Sequence, residues 1–213
     1  MKSVNFKDWS LTALEDAFGL SQVWELDLLE QWENNQIQVD EIEKSLLLKL
    51  QKTLHRGGRC WNEVELENKF ISPLIMLADI DDEKIGYFLE RPLSITLNDY
   101  QLSGIVDGMI ATGFRDPKMP YFCLHEYKRS VENQGMPDAQ VLAAMLVARE
   151  KNQNHKPIYG LFVVGIVWNF IVLKGNEYCI SQTYIADNDD VFKIFKMIKA
   201  LKQIIYSELE MTV

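Results

Sequence analysis

Cysteine is scarce in this chain. The three that occur, Cys60, Cys123 and Cys179, are odd in number and form no C-x-x-C pair. That argues against a disulfide framework, a zinc knuckle and a four-cysteine iron–sulfur site alike. Positive charge is also short: 22 Lys+Arg stand against 31 Asp+Glu, for a formal net charge of -9. Such a balance argues against coating nucleic acid by charge alone. No apolar run reaches the roughly 18–20 residues that span a bilayer, so no membrane association is expected. Residues 1–20 contain no apolar stretch of the secretory kind, and a cytoplasmic location is the expectation.

What is present suits a soluble globular α/β domain. The chain has 213 residues, 47% hydrophobic and 25% charged, the size of one ordinary domain with a small appendage. The negative charge is uneven. Residues 61–134 hold 13 acidic against 7 basic side chains, whereas residues 135–213 hold 8 of each. The middle segment is therefore where a carboxylate site would lie.

Residues 8–54 read as helical, with Ser10 as a cap for a helix through Leu11, Leu14 and Phe18 that closes near Gly19. Further apolar clusters follow at Val23, Trp24, Leu26, Leu28 and Leu29, and at Ile42, Leu46, Leu47 and Leu50. The run Arg56-Gly57-Gly58-Arg59 breaks the pattern, dividing a helical N-terminal appendage (1–60) from a core domain (61–213). Asn62 can cap a helix to about Ala78, with Pro73 marking a kink or restart. Phe88–Thr96 and Gln101–Thr112 read as strands around the turn Leu97-Asn98-Asp99-Tyr100, and Tyr121–Tyr127 as a third strand. Pro137 opens an Ala-rich helix to about Lys151. Ile158–Trp168 reads as one strongly apolar strand, followed by the pair Phe170–Leu173 and Tyr178–Thr183. Asp189 opens a final amphipathic helix. The core order is helix–strand–strand–strand–helix–strand.

Four features in this core can carry chemistry. On the helix after Asn62, Glu63 and Glu67 fall within the apolar arc and Glu65 opposite it; core-side carboxylates are costly unless paired or metal-bound. A first turn that projects past the core would account for them equally well. Asp107 alternates with Ile105 and Met109, which places it among apolar neighbours with glycines leaving room beside it. A strand-end or bulge Asp is the plainer alternative. On the third strand Phe122, Leu124, Glu126 and Lys128 share a face, so Glu126 and Lys128 point the same way. A carboxylate beside an ammonium is a hydrolytic arrangement, or else an exposed ion pair worth little. His125 and Cys123 lie on the other face and read as structural. Gln140 stands near the start of a helix apolar almost all round, where an amide needs partners.

In this order and on these elements, the first-helix Glu, second-strand Asp107, third-strand Glu126-x-Lys128 and following-helix Gln140 resemble the PD-(D/E)xK nuclease superfamily, the restriction-endonuclease-like fold. The resemblance covers about Trp61 to Thr183. Asn62-Glu63 followed by Phe70-Ile71-Ser72-Pro73-Leu74 looks like the helix opening the nuclease domain of type I restriction motor subunits. There the metal-helix glutamate lies ten residues before the proline, which points to Glu63 over Glu65 or Glu67. Where the family has Pro-Asp, this chain has Val106-Asp107; helicase motifs are absent from it.

The resemblance implies an αβββαβ core with a mixed central sheet, and an Mg²⁺-dependent phosphodiesterase in which Mn²⁺ can substitute. Asp107 and Glu126 would bind the metal, with the Tyr127 backbone carbonyl and Glu63 directly or through water. Lys128 would position the attacking water, and Gln140 would hold Lys128 or the substrate backbone. DNA rather than RNA is the expected substrate, and the N-terminal helices are a candidate surface for a second copy or a protein partner. The alternative from another class is a catalytically inactive nucleic-acid- or protein-binding module on the same fold, which net charge -9 favours.

Overall fold

A computed structural model describes residues 1–128 and 136–210. The local signals act where expected. Ser10 accepts a hydrogen bond from the Ala13 N–H and starts helix α1 (Leu11–Phe18), and Gly19, with φ 66°, ends it. Strands β3 (Ile85–Leu97) and β4 (Tyr100–Thr112) form a long hairpin whose two-residue turn contains Asn98 at φ 53°. Strand β5 (Lys118–Lys128) precedes helix α6 (Pro137–Asn152), which begins with its proline. Every side chain from Ala139 to Ala148 on α6 is buried, as a helix apolar all round must be.

The chain is α/β, a mixed nine-stranded sheet flanked by helices on both faces. The remaining strands are β1 (Lys2–Asn5), β2 (Ser21–Gln22), β6 (Ile158–Val164), β7 (Val167–Lys174), β8 (Glu177–Ile180) and β9 (Tyr184–Ile185). The order is β1-β4-β5-β6-β7-β8-β2, with β3 on β4 and β9 on β7. One face is covered by α1 and α6 around Leu14, Leu142 and Leu146. The other is covered by α2 (Asp27–Glu33), α3 (Glu41–Gly57), α4 (Glu63–Leu66), α5 (Ser72–Leu77) and α7 (Asp190–Glu210). From Glu63 to Val164 the elements follow the expected helix, three strands, helix, strand.

Three expectations need correction. The first sixty residues are not purely helical: β1 pairs in parallel with Tyr100–Ser103 of β4, and β2 with Glu177–Tyr178 of β8. Phe6 and Trp9 pack in the core of the α6 face, and Trp61 closes on Gly57, so the double glycine is a packed joint. The surface of this segment also differs: Trp24 and Ile42 are exposed while Leu47 and Leu54 are buried. The apolar run Ile158–Trp168 is two antiparallel strands, turned at Gly165 with φ 61°. Uniform burial of both strands had erased the polar signal of their turn.

The helix that Asn62 caps is interrupted. Between α4 and α5, Glu67–Ile71 form a π-helical turn ending just before Pro73. A proline has no N–H and crowds the carbonyl four residues back, so the wider turn accommodates it.

Candidate active site

The site lies where the sheet splits. Along one edge, β4 pairs with β3 over its whole length. Along its other edge, among the described residues, it pairs with β5 only at Gly108–Thr112 and with β1 only at Tyr100–Ser103. Residues 104–107 fall in the gap. The Asp107 carboxylate fills part of it by accepting the Tyr127 N–H at 2.6 Å. In an extended strand the N–H and C=O of one residue point to the same edge, so the Tyr127 carbonyl is directed to the same gap.

The alternation expected around Asp107 breaks at that point. Val106 and Met109 pack in the same core, Ile110 packs in the opposite one, and Ile105 is 63% exposed. The neighbouring strand shows the cause. Glu90, flanked by the pairs Leu89↔Gly108 and Arg91↔Val106, has φ 49°. That irregularity turns both strands and puts Asp107 at the flip instead of among apolar side chains. Phe122 also departs from expectation: it packs in the same core as Cys123, beside a register shift between β4 and β5.

Glu126 and Lys128 share a face as their spacing requires. Lys128 Nζ lies 2.7 Å from Glu126 Oε1 and 3.6 Å from Glu63 Oε1. The pair is not the exposed strand-end bridge of the plainer reading, because Glu126 is 4% accessible. Burial pushes the Glu126 carboxyl up to about 7, the Asp107 charge adds to the rise, and Lys128 opposes it. Asp107 is raised too, by burial first; the Tyr127 N–H and Lys128 oppose that rise, and Glu63 and Glu90 add to it. Lys128 itself is raised, because Glu126, Asp107 and Glu63 outweigh its own burial.

The helix contributes two glutamates. Glu63 is half exposed and reaches Lys128. Glu67 is partly buried, and its carboxyl is raised by burial and then by the charges of Asp107, Glu90 and Glu63. Glu65 closes a capping box with Asn62 and pairs with Lys69, away from the site. Sequence reasoning missed Glu90. Its only signal was a charged residue two positions before Pro92 inside a strand.

Among the described residues no hydrogen bond joins Gln140 to Lys128. Gln140 is buried on α6 with its Oε1 unpartnered, and the charged contacts of Lys128 are Glu126 and Glu63. Beneath the gap runs a buried chain that the sequence did not announce. Tyr87 Oη lies 2.8 Å from Tyr127 Oη, which lies 2.7 Å from His125 Nδ1, while His125 Nε2 is 3.3 Å from Cys123 Sγ. Burial holds His125 down to about 3, so it is neutral and structural.

Among the described residues, the Lys128 ammonium thus answers Glu126, Asp107 and Glu63, while Glu67 and Glu90 add further negative charge around Asp107. Unit charges 4 Å apart interact by about 4 kcal/mol at the dielectric of a protein surface, so the shortage of positive charge is a real cost. Hard oxygen donors with raised carboxyl pKa values suit a divalent cation. Among the described residues, however, no three His, Cys, Asp or Glu side chains already converge as a cage. The chain matches no family model and no curated protein sequence.

Proposed function

We propose that the chain is a divalent-cation-dependent nuclease, hydrolysing phosphodiester bonds of nucleic acid, with DNA as substrate, on a restriction-endonuclease-like core. One observation carries the reading: Asp107, Glu126 and Lys128, far apart in sequence or alternate on one strand, meet at the split in the sheet, under the helix bearing Glu63 and Glu67. Asp107, Glu126, the Tyr127 carbonyl and Glu63 would hold Mg²⁺, and Glu67 and Glu90 add to the field that draws it in. When bound, the ion polarises a phosphate oxygen and lowers the pKa of water.

The chain's own groups have separable tasks. The Tyr127 N–H keeps one Asp107 oxygen occupied, so the other is left for a ligand. Glu126 stays protonated or paired until a cation arrives, which limits the cost of its burial. Lys128 keeps its proton at neutral pH and therefore serves as a charge that orients water and offsets the phosphorane, not as a base.

A second reading, a binding module without catalysis, draws on the Lys128 ammonium already pairing with Glu126 and on net charge -9. Incubation of the purified chain with duplex DNA, single-stranded DNA and RNA decides between them. Cleavage with Mg²⁺ or Mn²⁺ that stops in EDTA, and in Glu126→Ala and Asp107→Asn, supports the nuclease. Retention of nucleic acid without cleavage under every metal favours the module.

A further inference from the structure

Tyr87 reaches across a whole strand. It belongs to β3, yet its hydroxyl bonds Tyr127 of β5, passing over Gly108 of β4. A Cβ on Gly108 would lie 2.7 Å from that hydroxyl, so the glycine after Asp107 is what lets the phenol through. On the far side His125 grips the same Tyr127 oxygen. Either of two opposite proton orders satisfies the chain. In one of them Tyr87 O–H donates to Tyr127, Tyr127 O–H donates to His125 Nδ1, and His125 Nε2–H donates to Cys123 Sγ.

This chain spans the level at which β4 and β5 part. Among the described residues their backbone ladder ends at Gly108↔His125, and the Tyr127 N–H turns to Asp107 instead. Tyr127 pairs with Val163 of β6 on its far edge, but among the described residues no ladder fixes it on the β4 edge, where its side chain supplies a hold besides the Asp107 bond.

We propose that Tyr87 and His125 are positioning residues that hold Tyr127 across the gap, so that its N–H stays on Asp107 and its carbonyl stays directed at the same opening. The effect on the Asp107 carboxylate is independent of any activity; the effect on a cation rests on the nuclease reading above.

The test uses the full-length chain and three variants, Tyr87→Phe, Tyr127→Phe and the double variant, each keeping the aromatic ring. Backbone amide hydrogen exchange is read at Tyr127 with Leu124 of the same strand as the reference, and Mn²⁺ affinity is read by calorimetry. Tyr127 exchange should speed up at least about tenfold while Leu124 changes little, because the loss is local. Mn²⁺ affinity should fall several-fold in each single variant. The double variant should be no worse than Tyr127→Phe, since both remove the same link. His125→Asn, which removes the second grip, should reproduce the faster Tyr127 exchange. Unchanged Tyr127 exchange in Tyr87→Phe and Tyr127→Phe, or equal acceleration at Leu124, would overturn the proposal by making the chain ordinary core. A wild type that neither binds Mn²⁺ nor cleaves, but shows the selective exchange effect, keeps the positioning role and removes the nuclease reading. Active variants with wild-type Mn²⁺ affinity and exchange do the reverse.

Discussion

Burial sets the behaviour of Glu126 before any cation does. Its folded pKa of about 7 lies above the ordinary carboxylate value of 4.5, so the folded chain binds the extra proton between those values. Stability from this group is fully present below 4.5 and is lost as pH rises through 7. His125, held down to about 3, has the opposite sign and gains stability up to about 6.5, so the two overlap at acid pH. The clean window is therefore pH 6.5 to 8, where Glu126 should cost a little under ~1 kcal/mol. Glu208, also pushed up to about 7 by burial, adds a slope of the same sign. Urea unfolding should thus show wild type losing stability across this window, a shallower loss in Glu126→Gln, and a shallower loss again when Mg²⁺ is added to wild type. An identical slope in wild type and Glu126→Gln would mean that Glu126 titrates normally. Lys128→Ala should lower turnover by about 10² or more, the scale of a positioned charge-stabilising group. Divalent affinity measured by calorimetry should not fall with it, because the ammonium competes for Glu126. A parallel fall would make Lys128 a structural partner only.

At the scale of elements, the signals that proved legible were local and chemical: Ser10 and Gly19 bounding α1, Asn98-Asp99 turning β3 into β4, Pro137 starting α6. The shared face of Glu126 and Lys128 was legible for the same reason, since the two alternate on one strand; the surroundings of Asp107 were not, because the flip beside it comes with Glu90 of β3. What escaped depends on partners distant in sequence. Lys2–Asn5 is a strand only because β4, about a hundred residues on, offers an unpaired edge. Glu90 enters the site only through a positive φ that no neighbouring residue dictates. The choice among the helix glutamates was half legible, because a 100° wheel ignores the π turn that begins at Glu67. Glu63→Gln and Glu67→Gln should both weaken Mg²⁺ affinity, as each contributes negative charge around Asp107. Glu65→Gln should be nearly silent, because an amide can still close the capping box with Asn62. Titration of the three variants with Mg²⁺ checks the order, and a Glu67→Gln protein with wild-type affinity would leave Glu63 as the sole helix ligand.

For the whole molecule the decisive matter is whether the first sixty residues are an appendage or part of the core. β1 pairs with the first four residues of β4, Tyr100–Ser103, next to the gap that holds Asp107. Its anchor is Phe6, which lies so close to Gly104 that a Cβ there would meet the ring at 2.3 Å. Phe6, Trp9, Leu14 and Leu20 are buried in the core around α6, and each fully buried side chain of this size is worth about 1.5–3 kcal/mol. Together they approach the ~5–15 kcal/mol that holds a whole domain folded. A chain of residues 61–213 should therefore unfold at a far lower temperature than the full chain, or fail to fold. Gly104→Ala offers the gentler version, since overpacking costs about 1–3 kcal/mol and presses on Phe6, the residue that follows β1. In thermal unfolding it should lower Tm as a single cooperative transition, because β1 and the site strands share one sheet. If 61–213 instead melts at the temperature of the full chain, the N-terminal segment is an accessory after all. The edge of β4 beside Asp107 is then free to take another strand.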